Sequence, residues 1–348
     1  MKPINIYIKK LGRIRNSELE IKQMVLFSGE SGLGKSYLAI LVHYFFEVLM
    51  DTHRIESFLN SLGLIYKRDE LKGQGNAFVI TKQQIQSWFA NDAIEYLRYM
   101  LNHDVEGDIS IKLPPSFPEQ INVDYEEQLT ELVSEMETYI VLKTNNLTYR
   151  IKDNSTFEES PYAFLLRHEL ISLFFDDFKA LKNTFVLPPS RGPILTENIL
   201  PQTGLYKSYS KKLKYLESAK SNKDVISEHQ KSLINAILDG NVIRVENKYM
   251  YNSNGVEMPI SAAAASVREL APLELILENT NVANDAILFE EPEAHLHPLK
   301  QRMVSDVIAY MHNAGAYMQI TTHSDYFLRR INELILLHSI KEQYDDKK

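Results

Sequence analysis

The chain has 348 residues, 44% of them hydrophobic and 24% charged, an average balance that excludes wholesale disorder and fibrous repeats. Its 38 lysines and arginines against 46 aspartates and glutamates leave a formal charge of −8, which argues against a coat for nucleic acid while leaving room for a local basic patch. Cysteine is absent, which excludes disulfide frameworks, thiolate zinc sites, iron–sulfur clusters and a cysteine nucleophile together.

In chain order, residues 1–22 read as a β-hairpin: Ile4, Ile6 and Ile8 alternate with polar partners, Gly12 and Asn16 supply a turn, and Leu19 and Ile21 resume the alternation. Met24–Phe27 is a short apolar run of the kind expected for a strand buried on both faces. After a glycine-rich turn, Ser36–Met50 predicts an apolar helix, too short to span a bilayer and interrupted by His43 and Glu47. The N-terminus has no signal-peptide core or cleavage site, so the expectation is a cytoplasmic protein with no membrane contact.

From residue 52 to about 239 the pattern is mixed. Helices are predicted over 83–102, 163–182 and 224–238, and short strands over 77–81, 108–113, 137–143 and 147–151. Phe185–Leu187 reads as a buried strand, 113–118 and 188–201 as proline-bearing loops, and 206–223 as a basic segment interleaved with tyrosines. The last hundred residues return to an α/β rhythm: a meander near 242–246, 248–252 and 256–260, a helix over 266–278, a strand Ala286–Phe289, a helix over 298–313, a strand Tyr317–Thr321 and a terminal helix over 325–342.

Three motifs carry chemistry. Residues Gly29, Glu30, Ser31, Gly32, Leu33, Gly34, Lys35 and Ser36 match G-x-x-x-x-G-K-[ST] in full, with a strand before and an apolar helix after. Such a loop turns its backbone N–H groups toward phosphate oxygens, Lys35 reaches the β- and γ-phosphates, and Ser36 ligates Mg²⁺. Second, Ala286–Phe289 ends in Glu290 and Glu291, an acidic strand end suited to hold a Mg²⁺ shell with its first acid and to activate water with its second. His295 and His297 beside three glutamates also suggest a divalent metal, but a third convincing ligand is missing. Third, Tyr317–Thr321 leads to His323, placed at a strand end where a γ-phosphate sensor sits in a doubly wound sheet.

Together GESGLGKS, ILFEEPEAHLHP and ITTHSDYF resemble the ABC-type P-loop ATPases of the RecF/SMC/OLD group, and Leu187-Pro-Pro-Ser-Arg191 resembles that group's L-P-A-x-R strand end. The resemblance implies an α/β fold: an ABC-type P-loop NTPase core, a mixed sheet flanked by helices with an antiparallel β lobe, and a mostly helical insertion. It implies that 1–51 and 240–348 form the two halves of the core, that 52–239 is an inserted lid or partner-binding region of helices and strands, and that 184–192 returns to the core. It further implies ATP and Mg²⁺ as cofactors, Glu290 and Ser36 on the metal, Glu291 as catalytic base, His323 as switch histidine, Lys35 in catalysis, and His295 and His297 in a loop at a dimer seam.

Two departures stand out. The metal-side acid is a glutamate where aspartate is usual. The signature motif, Ser-x-Gly before a helix in the group, corresponds here to Ile260-Ser-Ala-Ala-Ala-Ala-Ser266-Val-Arg268, without a glycine in any register. A Cβ where backbone meets the partner's nucleotide, with Ser266 as its contact, predicts slow or assembly-dependent hydrolysis. The resemblance implies a homodimer or higher even-numbered oligomer. Only 25 residues follow His323, too few for an appended nuclease domain, so a separate effector such as a nuclease or toxin is expected, as in anti-phage defence systems. Two alternatives stay open: a RecF-like ATPase that binds DNA through the lysines of 206–223, and a scaffold that binds ATP without turnover.

Overall fold

The N-terminal hairpin forms as β1 (Ile4–Leu11) and β2 (Ile14–Ile21), and β1 pairs on its other side with β5 (Gly107–Lys112), all antiparallel. The alternation of isoleucines does what a period of two requires: Ile4, Ile6 and Ile8 are buried on one face. The computed structural model describes residues 1–65, 78–132, 135–152, 160–196, 201–218, 228–245 and 248–345.

Contacts group the described chain into two units, one of Met1–Lys22, Tyr44–Tyr96 and Val105–Asn183, the other of Gln23–His43, Leu97–Asp104 and Thr184–Lys348. The first unit holds the hairpin sheet and a second antiparallel sheet in the order β4 (Phe78–Thr81), β6 (Gln120–Leu132), β7 (Glu135–Lys143), β8 (Thr148–Lys152). β4, β7 and β8 answer to the strands predicted over 77–81, 137–143 and 147–151, and β6 joins them into one sheet. Strand β6 escapes a sequence reading because its Asp124-Tyr-Glu-Glu run is nearly all polar; pairing supplies what hydrophobicity does not, with Asp124 opposite Lys143 and Glu126 in an ion pair with Lys143.

Helix α1 (Lys35–Met50) supplies residues to both units, α2 (Thr52–Ser61) was not anticipated, and α3 (Lys82–Leu101) matches its reading. Helix α4 (Pro161–Phe175) ends seven residues before the predicted 182, because Asp176 takes a left-handed conformation (φ 61°) and closes the last turn onto Ser172. The core of this unit is aromatic, with the Phe174 ring 4.9 Å from Phe45 and 5.4 Å from Phe117.

The second unit is built on a sheet in the order β3 (Met24–Ser28), β14 (Tyr317–Thr322), β13 (Asp285–Glu290), β9 (Asn183–Leu187). Strands β13 and β14 are buried along their whole length, and β14 runs parallel to both β13 and β3. β3, an edge of this sheet, is only half-buried and not closed on both faces as its sequence suggested, whereas β9 at the other edge is buried. The register sets Glu290 beside Thr321, and Thr322 beside Ser28, so three chain segments leave the sheet level with one another.

Around the sheet lie α5 (Gly192–Thr196), α6 (Gly204–Ser218), α7 (Glu228–Leu238), α8 (Ala265–Asn279), α9 (Pro298–Asn313) and α10 (Asp325–Asp345). The predicted meander forms as β10 (Asn241–Val245), β11 (Lys248–Ser253) and β12 (Val256–Pro259). Their shared core joins Phe185, Leu270, Leu273, Ile287, Phe289 and Ile320. Among the described residues no helix is long and apolar enough to cross a membrane.

Candidate active site

Parallel strands that end level bring their following loops together, and that edge is where doubly wound sheets place ligands. After β3 the chain turns through Gly29 (φ 132°), Gly32 (φ 77°) and Gly34 (φ 92°), conformations that a Cβ disfavours. Glu30, Ser31 and Leu33 between them are exposed. Lys35, 9% exposed, donates from Nζ to the carbonyls of Gly29 (2.9 Å) and Glu30 (2.7 Å), so its ammonium lies folded over the loop.

Ser36, in the first turn of α1, sets its hydroxyl beside the Glu290 carboxylate at the end of β13, where it favours the ionised acid. Glu290 is 2% exposed. Burial pushes its carboxyl above the ordinary 4.5, the Ser36 hydrogen bond opposes that, and the negative Glu291 next to it adds to it. Its Oε1 is buried without a hydrogen-bond partner. An open carboxylate oxygen beside a phosphate-loop hydroxyl is a hard-oxygen donor set of the kind that suits Mg²⁺, whose remaining positions substrate phosphates and water fill.

Glu291 is a non-glycine residue at φ 47°, held there by its N–H to the Thr321 carbonyl (3.0 Å). The turn lifts its side chain out of the sheet, where Oε1 lies 3.7 Å from Nε2 of His323, both side chains being partly open to solvent. The acid and the histidine that were read 32 positions apart are therefore neighbours.

Two residues were not assigned a role from the sequence. Glu293, in the loop after β13, is 9% exposed, and its Oε1 accepts from the Thr322 hydroxyl and the His323 N–H, each at 2.7 Å. Arg191 is wholly buried. It donates to the carbonyls of Pro188 (2.9 Å), Glu269 (2.6 Å) and Glu290 (3.0 Å), lies over the Phe289 ring, and its own N–H reaches the Glu269 carboxylate. Burial lowers its pKa while Glu269 counteracts. Only the resemblance of Leu187–Arg191 to a known strand end had marked it.

Ser266 is the second residue of α8, half-buried, and makes no hydrogen bond to Gly29–Ser36 among the described residues. His295 (φ 62°) is exposed, and His297 caps α9 by accepting from the Leu299 N–H at 3.4 Å. Among the described residues no group of three or more metal-binding side chains forms. In the basic segment Lys207, Lys211 and Lys214 are exposed on α6, while Tyr206 and Tyr209 turn inward to the carbonyls of Pro189 and Arg191; residues 219–223 lie outside the described ones.

Residues 240–328 match the family described as AAA ATPase domain. No curated protein matches the chain. Among solved structures it is similar to the SmcHead bound to the C-winged helix domain of ScpA, with 11% identity, 94% of this chain and 91% of that chain covered, and a TM-score of 0.43. The SMC head domain from Thermotoga maritima gives 12%, 95%, 92% and 0.36. The Smc head domain with an extended coiled coil bound to the C-terminal domain of ScpA derived from Pyrococcus furiosus gives 13%, 95%, 92% and 0.41. Residues 240–328 are thus similar to an AAA ATPase domain.

Proposed function

We propose that this chain hydrolyses ATP to ADP and phosphate at this sheet edge, and that it is a switch subunit controlling a separate effector, a nuclease or toxin, in bacterial anti-phage defence. The observation that carries the ATPase reading is the buried, unbonded Oε1 of Glu290 beside the Ser36 hydroxyl, next in sequence to Lys35. Loop N–H groups and Lys35 bind the β- and γ-phosphates, Lys35 exchanging its bonds to the loop carbonyls for bonds to phosphate. Ser36 and Glu290 would hold Mg²⁺, which supplies charge neutralisation on the phosphates when bound. Glu291 takes a proton from the attacking water, and His323 donates a hydrogen bond to the γ-phosphate. Ser266 and the glycine-free turn before it contact the nucleotide of a second copy, so turnover is slow or partner-stimulated, and residues 52–239 pass the closure to the effector.

Steady-state phosphate release tests the chemistry. Lys35→Ala is expected to abolish ATP binding and turnover, and Glu291→Gln to keep ATP binding while slowing turnover by about a hundredfold or more. Equal turnover in Glu291→Gln and the parent chain would remove the base assignment and favour a scaffold that does not hydrolyse. Affinity purification of Glu291→Gln from its native host, with ATP and Mg²⁺, is expected to retain a stoichiometric effector. A Lys35→Ala variant that leaves phage sensitivity unchanged would sink the defence role.

A second reading, direct binding of DNA, draws on the exposed Lys207, Lys211 and Lys214 of α6. Tyr206 and Tyr209 turn inward and are lost to base stacking, while Tyr215 on the same helix stays exposed. Steeply salt-dependent DNA binding, lost on charge reversal at Lys211, Lys212 and Lys214, would favour it.

A further inference from the structure

We propose that Glu293 is a positioning residue whose single carboxylate oxygen sets His323 against Glu291. This rests on the reading of His323 and Glu291 as sensor and base. His323 follows the last residue of β14, so no sheet partner is available to its N–H, and a strand end left to water would let the histidine swing. Glu293 supplies the acceptor: Oε1 takes the His323 N–H and the Thr322 hydroxyl, both at 2.7 Å, in a nearly buried setting where a charged acceptor is strong.

The tie continues on both sides. Thr322 Oγ1 accepts from the Ser324 N–H (3.1 Å), and Ser324 Oγ accepts from the Phe327 N–H (3.1 Å), which fixes the start of α10. On the acid side Glu293 belongs to the tight turn that begins at Glu291: the Ala294 N–H reaches the Glu291 carbonyl (3.1 Å) and the Leu296 N–H reaches the Glu293 carbonyl (3.1 Å). Base and sensor, 3.7 Å apart, are thus held by one turn: its Glu291 N–H is tied to the Thr321 carbonyl, and its Glu293 carboxylate carries the tie on to His323 itself. A shift of either by about 1 Å is enough to cost on the order of a hundredfold in rate.

The test compares Glu293→Ala, Glu293→Gln, His323→Ala and the double variant Glu293→Ala/His323→Ala in the full chain. Glu293→Ala is expected to lower kcat about tenfold or more while the KM for ATP changes less than about twofold. Glu293→Gln keeps a carbonyl acceptor for both donors and is expected to recover most of the loss. In the His323→Ala background the Glu293→Ala change is expected to add nothing, the mark of two residues acting as one unit. A kcat unchanged in Glu293→Ala, or a loss that multiplies fully with that of His323→Ala, would overturn the proposal. Hydrogen exchange at the His323 amide reads the clamp without turnover: Glu293→Ala at unchanged Tm should lose protection there and Thr322→Val should keep most of it, whereas protection retained in Glu293→Ala overturns it. Absence of ATPase activity in the parent chain would instead refute the catalytic reading and leave the exchange result to decide the clamp. Should Glu293→Ala fail to fold, the same comparison is made on Glu293→Gln and Glu293→Asp, where loss confined to Asp, whose shorter arm cannot reach both donors, is expected and equal activity overturns.

Discussion

A fully buried guanidinium survives only when every donor finds an acceptor, and Arg191 finds them almost entirely in backbone carbonyls. The same side chain touches the end of the acidic strand at Glu290 and the first turns of α8 at Glu269, so it braces Glu290 against the helix that begins beside Ser266. Removing it strands those carbonyls and the Glu269 carboxylate in the core. Arg191→Ala is therefore expected to cost about 3–5 kcal/mol in a denaturant titration, and Arg191→Lys to recover little of it, because an ammonium cannot reproduce the fork. Loss of less than about 1 kcal/mol would show that the brace is dispensable.

At the scale of elements, α8 is held at two places by acids that point into the core. Near its start, Glu269 Oε1 accepts the Gly192 N–H at 3.2 Å, and a Cβ on Gly192 would come within 3.0 Å of both Arg268 Cβ and that oxygen. Gly192→Ala is expected to lose about 1–3 kcal/mol of stability through this overpacking, measured by thermal or chemical unfolding. Further along, Glu274 is wholly buried, both its oxygens face the Val242 N–H at 3.0 Å, and burial pushes its carboxyl from 4.5 to about 9. The folded chain then keeps a proton that the unfolded chain releases above its ordinary carboxylate range. Stability from this group is present below pH 4.5 and declines toward pH 9, by at most about 1.4 kcal/mol per pH unit. Glu274→Gln, neutral at every pH, is expected to raise Tm over the parent chain increasingly between pH 6 and 9. A Tm difference independent of pH would show that Glu274 is not protonated in the fold.

For the whole molecule, the proposed contact of Ser266 with a second copy's nucleotide makes ATP-driven association the measurement that tests it. Glu291→Gln with ATP and Mg²⁺ is expected to sediment as a dimer or a larger even-numbered assembly, and to return to the smaller species when Lys35→Ala is added. Association that ignores nucleotide would separate oligomerisation from the site. At a formal charge of −8, nonspecific attraction to DNA is weak, so any DNA binding would have to come from a local patch such as the α6 lysines.

The sequence by itself determined the elements whose signal is local. The phosphate loop, the acidic strand end and the histidine strand are short runs in which burial, glycine placement and charge follow one another along the chain, so their residues and most of their boundaries were legible. The hairpin and the meander were legible for the same reason, since turn chemistry and alternation are near-neighbour properties. Only the tertiary structure decided which strands are adjacent, because pairing of β14 between β3 and β13 joins residues nearly 300 positions apart, and no local preference encodes that. It also decided the polar strand β6, whose partners rather than its composition hold it in a sheet. Glu293 and Arg191 belong to the same class: their side chains matter through bonds to backbone groups brought up by other strands, and such bonds exist only once the sheet edge is assembled.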